Sequence, residues 1–132
     1  MDVSAIADTL FQAIEAGDIA AVQRLWSPDI AVWHSGDHQD NNHDRALRVI
    51  RWFVGRTGRR RYEVLDRQPF DGSAPGFVQQ HILHATGEHG SIAMRVCIVI
   101  KLDGAGLITR IDEYFDPAEM APLMDRPATE DS

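Results

Sequence analysis

The stretch ITRIDEYFDPAEM, residues 108–120, sets two adjacent carboxylates, Asp112 and Glu113, inside a run of β-branched and aromatic residues that ends at Pro117. Such a run reads as a strand. A strand turns successive side chains to opposite faces, so Thr109, Ile111, Glu113 and Phe115 share one face and Ile108, Arg110, Asp112 and Tyr114 the other. Whichever face is buried takes a carboxylate with it.

The same grammar extends backward from that strand. RRYEVLDRQPF, GFVQQHILHATG and SIAMRVCIVIKL are strand-like segments parted by the turns DGSAP, GEHG and DGAG, which predicts a meander of antiparallel strands. Met94, Val96, Ile98, Ile100 and Leu102 line one face of the third segment, while Ala93, Cys97 and Val99 make the other apolar too. Both faces are therefore expected to be covered, one by helices and the other by a second subunit.

The N-terminal half supplies the helices. Val3, Ile6, Ala7, Leu10, Phe11 and Ile14 recur at helical spacing, with Gly17 suited to a left-handed C-terminal cap. Asp18 can cap a second helix, IAAVQRLW, that stops at Ser27 and Pro28. DIAVWHS then reads as a short strand, GDHQDNNHD as a loop, and Arg45 to Gly55 as a third helix with a wide apolar stripe. Asp116 can cap, and Pro117 open, a short terminal helix. Helices, a strand, a helix and four long strands describe an α+β fold, a curved antiparallel sheet wrapped around N-terminal helices.

At 132 residues the chain suits one domain, expected over residues 1–124 with a polar, disordered tail at 125–132. The longest apolar run, VCIVI, is too short to span a bilayer, and the acidic start lacks the basic lead-in of a secretory signal, so cytoplasmic residence is expected. The net charge of −7 argues against a nucleic-acid partner. Arg59 and Arg61 project opposite to Arg60 on a strand, which reads as a solvated strand start rather than a basic patch. Cys97 is the lone cysteine and reads as a small buried hydrophobe. His34, His38 and His43 beside Asp37, Asp40 and Asp44 match no established zinc spacing, so no metal site is expected.

The element order, with VWHSGD, FVQQHILHATGEHG and DGAGLITRIDEYFDPAEMAPL, resembles the SnoaL-like proteins of the nuclear transport factor 2 superfamily, over roughly residues 2 to 124. The resemblance implies a cone whose mouth admits a small apolar ligand, and it covers isomerases, polyketide cyclases, epoxide hydrolases, dehydratases and non-catalytic binders. Fold alone does not choose among these. By the likeness to limonene epoxide hydrolase, Glu113 takes the inner face between Ile111 and Phe115, while Asp112 faces outward to pair with Arg110. Gln79 and His81 fall where that enzyme places an Arg and an Asp, so its water-activating relay is not reproduced. Trp33 and Ser35 match its Tyr and Asn, and alternation allows only one of Trp33 and His34 to point inward.

The candidate catalytic residues are thus Glu113, His81 and Asp112, with Trp33, His34, Gln79 and Phe115 as candidate ligand contacts. A carboxylate among apolar groups has its pKa raised and becomes a useful base. That favours proton transfer on a hydrophobic cyclic carbonyl compound, with no cofactor required. Two other classes stay open: a binding or sensing module for a small apolar ligand, and an interaction protein that pairs as a homodimer through the outer sheet face.

Overall fold

The structure is a computed structural model, and it describes residues 1–124; the polar segment 125–132 lies outside the described residues. Helix α1 spans Val3–Ala16, α2 Ile19–Leu25 and α3 His43–Arg56. The strands are β1, Trp26–His34; β2, Thr57–Phe70; β3, Gly76–Gly87; β4, Ser91–Leu102; and β5, Ile108–Tyr114, followed by a 3-10 helix over Pro117–Leu123. Their order across the sheet is β1-β5-β4-β3-β2. The expected antiparallel meander runs from β2 to β5, and β1 joins β5 in parallel, so the sheet is mixed and open at both edges.

Local chemistry sets the helix boundaries. Asp2, Asp18 and Asn42 each cap a helix by accepting a backbone N–H three residues on. Gly17 ends α1 at φ 71°, a left-handed conformation that only glycine adopts without strain. Arg60 sits against this end rather than in solvent, contrary to its reading as part of a solvated strand start. Its guanidinium donates to the carbonyls of Ile14, Glu15, Val54 and Thr57, joining the C-terminal turns of α1 and α3.

Two irregularities depart from simple alternation. In β5 the pairing with β4 shifts between Lys101 and Leu102, and the extra residue turns both Ile108 and Ile111 into the core. From Ile111 onward the expected faces hold. In β1, pairing with β5 jumps from Trp26 to Ala31, so Pro28 lies in a stretch that needs no ladder N–H and the strand passes through it. The second helix consequently ends at Leu25, and Trp26 starts a strand.

The core fills the space between the inner sheet face and α1. Phe77, Met94, Val96, Ile100, Leu102 and Ile108 are almost wholly buried there with Ala7 and Leu10. Helix α3 is held further off: Ala46 and Phe53 are buried, whereas Val49 and Trp52 stay 39% and 36% exposed. The wide apolar stripe of this helix forms one wall of a cavity.

Candidate active site

The cavity lies between α1, α3 and the inner sheet face and holds about 520 Å³, in the range of small-molecule sites. Phe11, Ile14, Ile50, Phe53, Leu83 and Met94 make much of its wall, and Pro117, Met120 and Met124 line it from the chain after β5. Its polar groups gather at the ends of β1 and β5, where His34, Ser35, Asp37 and Glu113 all line the space.

Register brings these groups together. His34 is the parallel cross-strand partner of Glu113, and its Nε2 stands 3.8 Å from Glu113 Oε1. Ser35 extends the ladder by donating its N–H to the Glu113 carbonyl and accepting the Phe115 N–H on Oγ. The chain then turns back: Asp37 N–H donates to the His34 carbonyl, with Gly36 at φ 97° in the turn position that demands positive φ. The turn delivers Asp37 Oδ2 to within 3.0 Å of His34 Nδ1.

That carboxylate oxygen also accepts from the His34 backbone N–H at 2.9 Å and from Asn41 Nδ2 at 2.8 Å. Burial opposes its ionisation, but the hydrogen bonds from His34 and Asn41 outweigh it and hold the Asp37 carboxyl below its ordinary range. An ionised Asp37 only accepts, so the neutral imidazole carries its proton on Nδ1 and turns a lone pair on Nε2 toward Glu113. Glu113 behaves oppositely. Burial pushes its carboxyl up, with only partial relief from His34. The arrangement is a chain of carboxylate, imidazole and protonatable carboxyl ending in an apolar cavity.

Two donors complete the wall. Trp26 is 7% exposed and its Nε1 has no hydrogen-bond partner. The Tyr62 ring also lines the cavity. Burial, then the charges of Glu113 and Glu15, push its phenol well above the ordinary range, so it stays a neutral donor.

Of the residues singled out in the sequence, Glu113, His34 and Phe115 line the cavity. Trp33 faces the other way, donates Nε1 to the Asp37 carbonyl and rests on Tyr114 at 5.2 Å between ring centroids. Asp112 also lies on the outer face, paired with Arg110. Gln79 and His81 are fully buried behind the wall, with His81 packed on Phe11 and Tyr62. Gln79 accepts from Arg67 Nε at 2.7 Å, which turns its amide nitrogen to His81 Nδ1 at 2.9 Å. Burial, aided by Arg67, pulls the His81 pKa down to about 4, so this histidine is neutral. These four residues do not join the cavity group. Asp37, Asn41, Tyr62 and Trp26 were missed as site residues, although a His followed three residues later by Asp across a Gly was a turn signal for the first.

Among the described residues no three or more His, Cys, Asp or Glu side chains gather as a metal site, and no helix is long and apolar enough to cross a membrane.

A half-open curved sheet around helices, with ionisable groups at one end of an apolar cavity, is the cone of the nuclear transport factor 2 class. The chain belongs to the SnoaL-like domain family, whose model matches residues 7–111. PrhC from Penicillium brasilianum NBRC 6234 has the same fold, with a TM-score of 0.81 at 17% identity over 98% of this chain and 89% of that one. So does an LEH-like epoxide hydrolase from M. tuberculosis, with a TM-score of 0.70 at 20% identity over 89% and 85%. IdmH from Streptomyces antibioticus, a candidate polyketide cyclase, gives 0.74 at 15% over 93% and 98%. At these identities the likeness is one of fold. No curated protein sequence matches the chain.

Proposed function

We propose that the cavity takes a small, mostly apolar cyclic carbonyl compound and that Glu113, coupled to His34, moves a proton at the carbon beside the carbonyl, as an isomerase or cyclase requires. The observation that carries this reading is the 3.8 Å approach of Glu113 Oε1 to Nε2 of an imidazole whose other nitrogen is tied to Asp37. A carboxyl with a raised pKa accepts a proton more readily than an exposed one, and catalysis is best served by a pKa near the working pH. His34 can take the Glu113 proton on Nε2, leaving a carboxylate facing the substrate and an imidazolium stabilised by Asp37. Contacts of this length often tighten once substrate is bound.

Removal of the α-proton leaves negative charge on the carbonyl oxygen, which needs a donor in a water-poor setting. Trp26, with its unpartnered N–H, and Tyr62, with a neutral hydroxyl, are cavity-lining side chains able to supply it. The proton then returns to a second carbon in an isomerisation, or the carbanion closes a ring. The epoxide hydrolase alternative is less favoured, because Gln79 and His81 lie behind Phe11 and Tyr62 and not on the cavity.

Trp26 and Trp52 line the cavity and report its occupancy. Titration with cyclic ketones of increasing size is expected to quench tryptophan fluorescence saturably, and the ketones that bind are expected to lose α-proton NMR signals in D₂O. Saturable binding of such ketones without any exchange above buffer favours a binding module instead.

A further inference from the structure

The outer face of β5 reaches the site through the loop between β1 and α3. Arg110 lies between two carboxylates: Nε and Nη2 donate to Asp112 at 3.0 and 2.9 Å, while Nη1 and Nη2 donate to Asp40 at 2.7 and 3.0 Å. Asp112 belongs to the same strand, two residues on, and stops the guanidinium from swinging. Asp40 belongs to the loop, and Arg45 donates to its backbone carbonyl. One residue later Asn41 pairs through its backbone with Val32 and gives its side-chain amide to Val32 O and Asp37 Oδ2. Trp33, also on the outer face, holds the Asp37 carbonyl. Every hold on Asp37, and through it on His34, thus depends on where residues 37–41 sit.

We propose that Arg110, braced by Asp112, is a positioning residue that anchors this loop through Asp40 and so fixes Asp37 on the His34 ring. The adjacent carboxylates of β5 then serve one site from opposite faces, Glu113 by lining the cavity and Asp112 by holding the clamp behind it. Ion pairs this exposed usually add little to global stability. A bidentate fork between two carboxylates is the exception in geometry, and its effect is local: it adds an anchor on β5 to a loop that the Val32–Asn41 bridge and the contacts of Asp37 with Trp33 and His34 tie to β1. Displacing a positioning group by about 1 Å can slow a reaction by about a hundredfold, so modest loop motion would register at His34.

The test uses the full chain with Arg110→Met, Arg110→Lys and Asp40→Asn. The decisive readout is the ¹⁵N spectrum of the His34 ring, in which an Nδ1–H held by a carboxylate exchanges slowly and the Nε2 signal is that of an unprotonated nitrogen. The wild type is expected to show this signature, and Arg110→Met to lose it, with the Nδ1 proton broadened by exchange and the thermal midpoint little changed. Arg110→Lys is expected to recover part of it, and Asp40→Asn to resemble Arg110→Met while leaving the Arg110–Asp112 pair in place. The kinetic arm rests on the proton-transfer reading: Arg110→Met should slow α-proton exchange about tenfold with half-saturation unchanged. An unaltered His34 spectrum in both Arg110→Met and Asp40→Asn overturns the clamp. If no ketone exchanges in the wild type, the proton-transfer reading fails while the spectrum still decides the clamp. Should Arg110→Met not fold, Asp40→Asn carries the test.

Discussion

His34 and Glu113 face each other across the parallel seam of the sheet, imidazole Nε2 to carboxylate Oε1 at 3.8 Å, and both open into the same apolar cavity. Asp37 fixes the imidazole from behind, so the pair has a direction: the proton on Nδ1 is committed and Nε2 is free to receive one.

Replacing Glu113 separates function from stability. Its pKa is higher in the folded chain than in the unfolded one, so the folded state holds the extra proton between those values and loses stability as pH rises through them. Glu113→Gln is expected to raise the thermal midpoint at pH values above the raised pKa, with the gain vanishing toward the ordinary carboxylate range. Thermal melts from pH 4 to 9 check this, and an equal gain at every pH would assign the effect to packing.

Asp37→Asn removes the charge that sets the His34 tautomer while leaving the turn around Gly36 intact. The α-proton exchange rate should fall by about a hundredfold, the lower end of what a positioned acid or base contributes, with ligand affinity preserved. Exchange kinetics on the variant, beside a fluorescence titration, separate the two effects.

Trp26→Phe keeps an aromatic side chain but deletes the indole's five-membered ring and with it an N–H that has no partner in the protein. No buried polar group is left unpaired, so any loss of stability reports the volume removed rather than a broken hydrogen bond. Affinity for ketones should fall by roughly fivefold to tenfold, as expected for one hydrogen bond of about 1 kcal/mol. Unchanged affinity would remove Trp26 from the ligand's contacts.

His81 predicts an acid-sensitive fold. Its folded pKa, near 4, lies below the ordinary 6.5, so its contribution to stability is complete above 6.5 and is lost as pH falls through that window. The full effect is on the order of 3 kcal/mol. His81→Gln should flatten the pH dependence of unfolding between 6.5 and 4, measured by denaturant melts. A steep dependence that persists in the variant would place the sensitivity elsewhere.

Much of this arrangement was legible before folding. The period of two puts Glu113 and Asp112 on opposite faces, and the likeness to the epoxide hydrolase turns Glu113 inward; the pairing stays regular from Arg110 to Tyr114, beyond the β5 irregularity. The bulge that turns Ile108 inward left no mark, since isoleucine suits either face. Trp33 and His34 could not be ordered by pattern: each has an apolar body and a polar tip, and β1 is irregular where a register count would start. His81 enters as a candidate catalytic residue through the likeness to the epoxide hydrolase, whose inner strand carries its relay at the matching positions. In the fold Gln79, itself held by Arg67, bonds Nδ1 from the side and Phe11 and Tyr62 pack on the ring, while Nε2 is buried without a hydrogen-bond partner. Asp37 was hidden in a polar loop whose geometry rests on a single glycine turn, and Asp40 and Asn41 acquire meaning only through contacts with Arg110 and Val32.

The most direct measurement is the rate at which bound cyclic ketones exchange their α-protons in D₂O with wild-type protein and with Glu113→Gln. The account predicts saturable exchange above buffer in the wild type and a loss of at least about a hundredfold in the variant, with fluorescence quenching retained in both. Equal exchange in the two proteins would contradict it, because the proton would then be moved by a group other than Glu113.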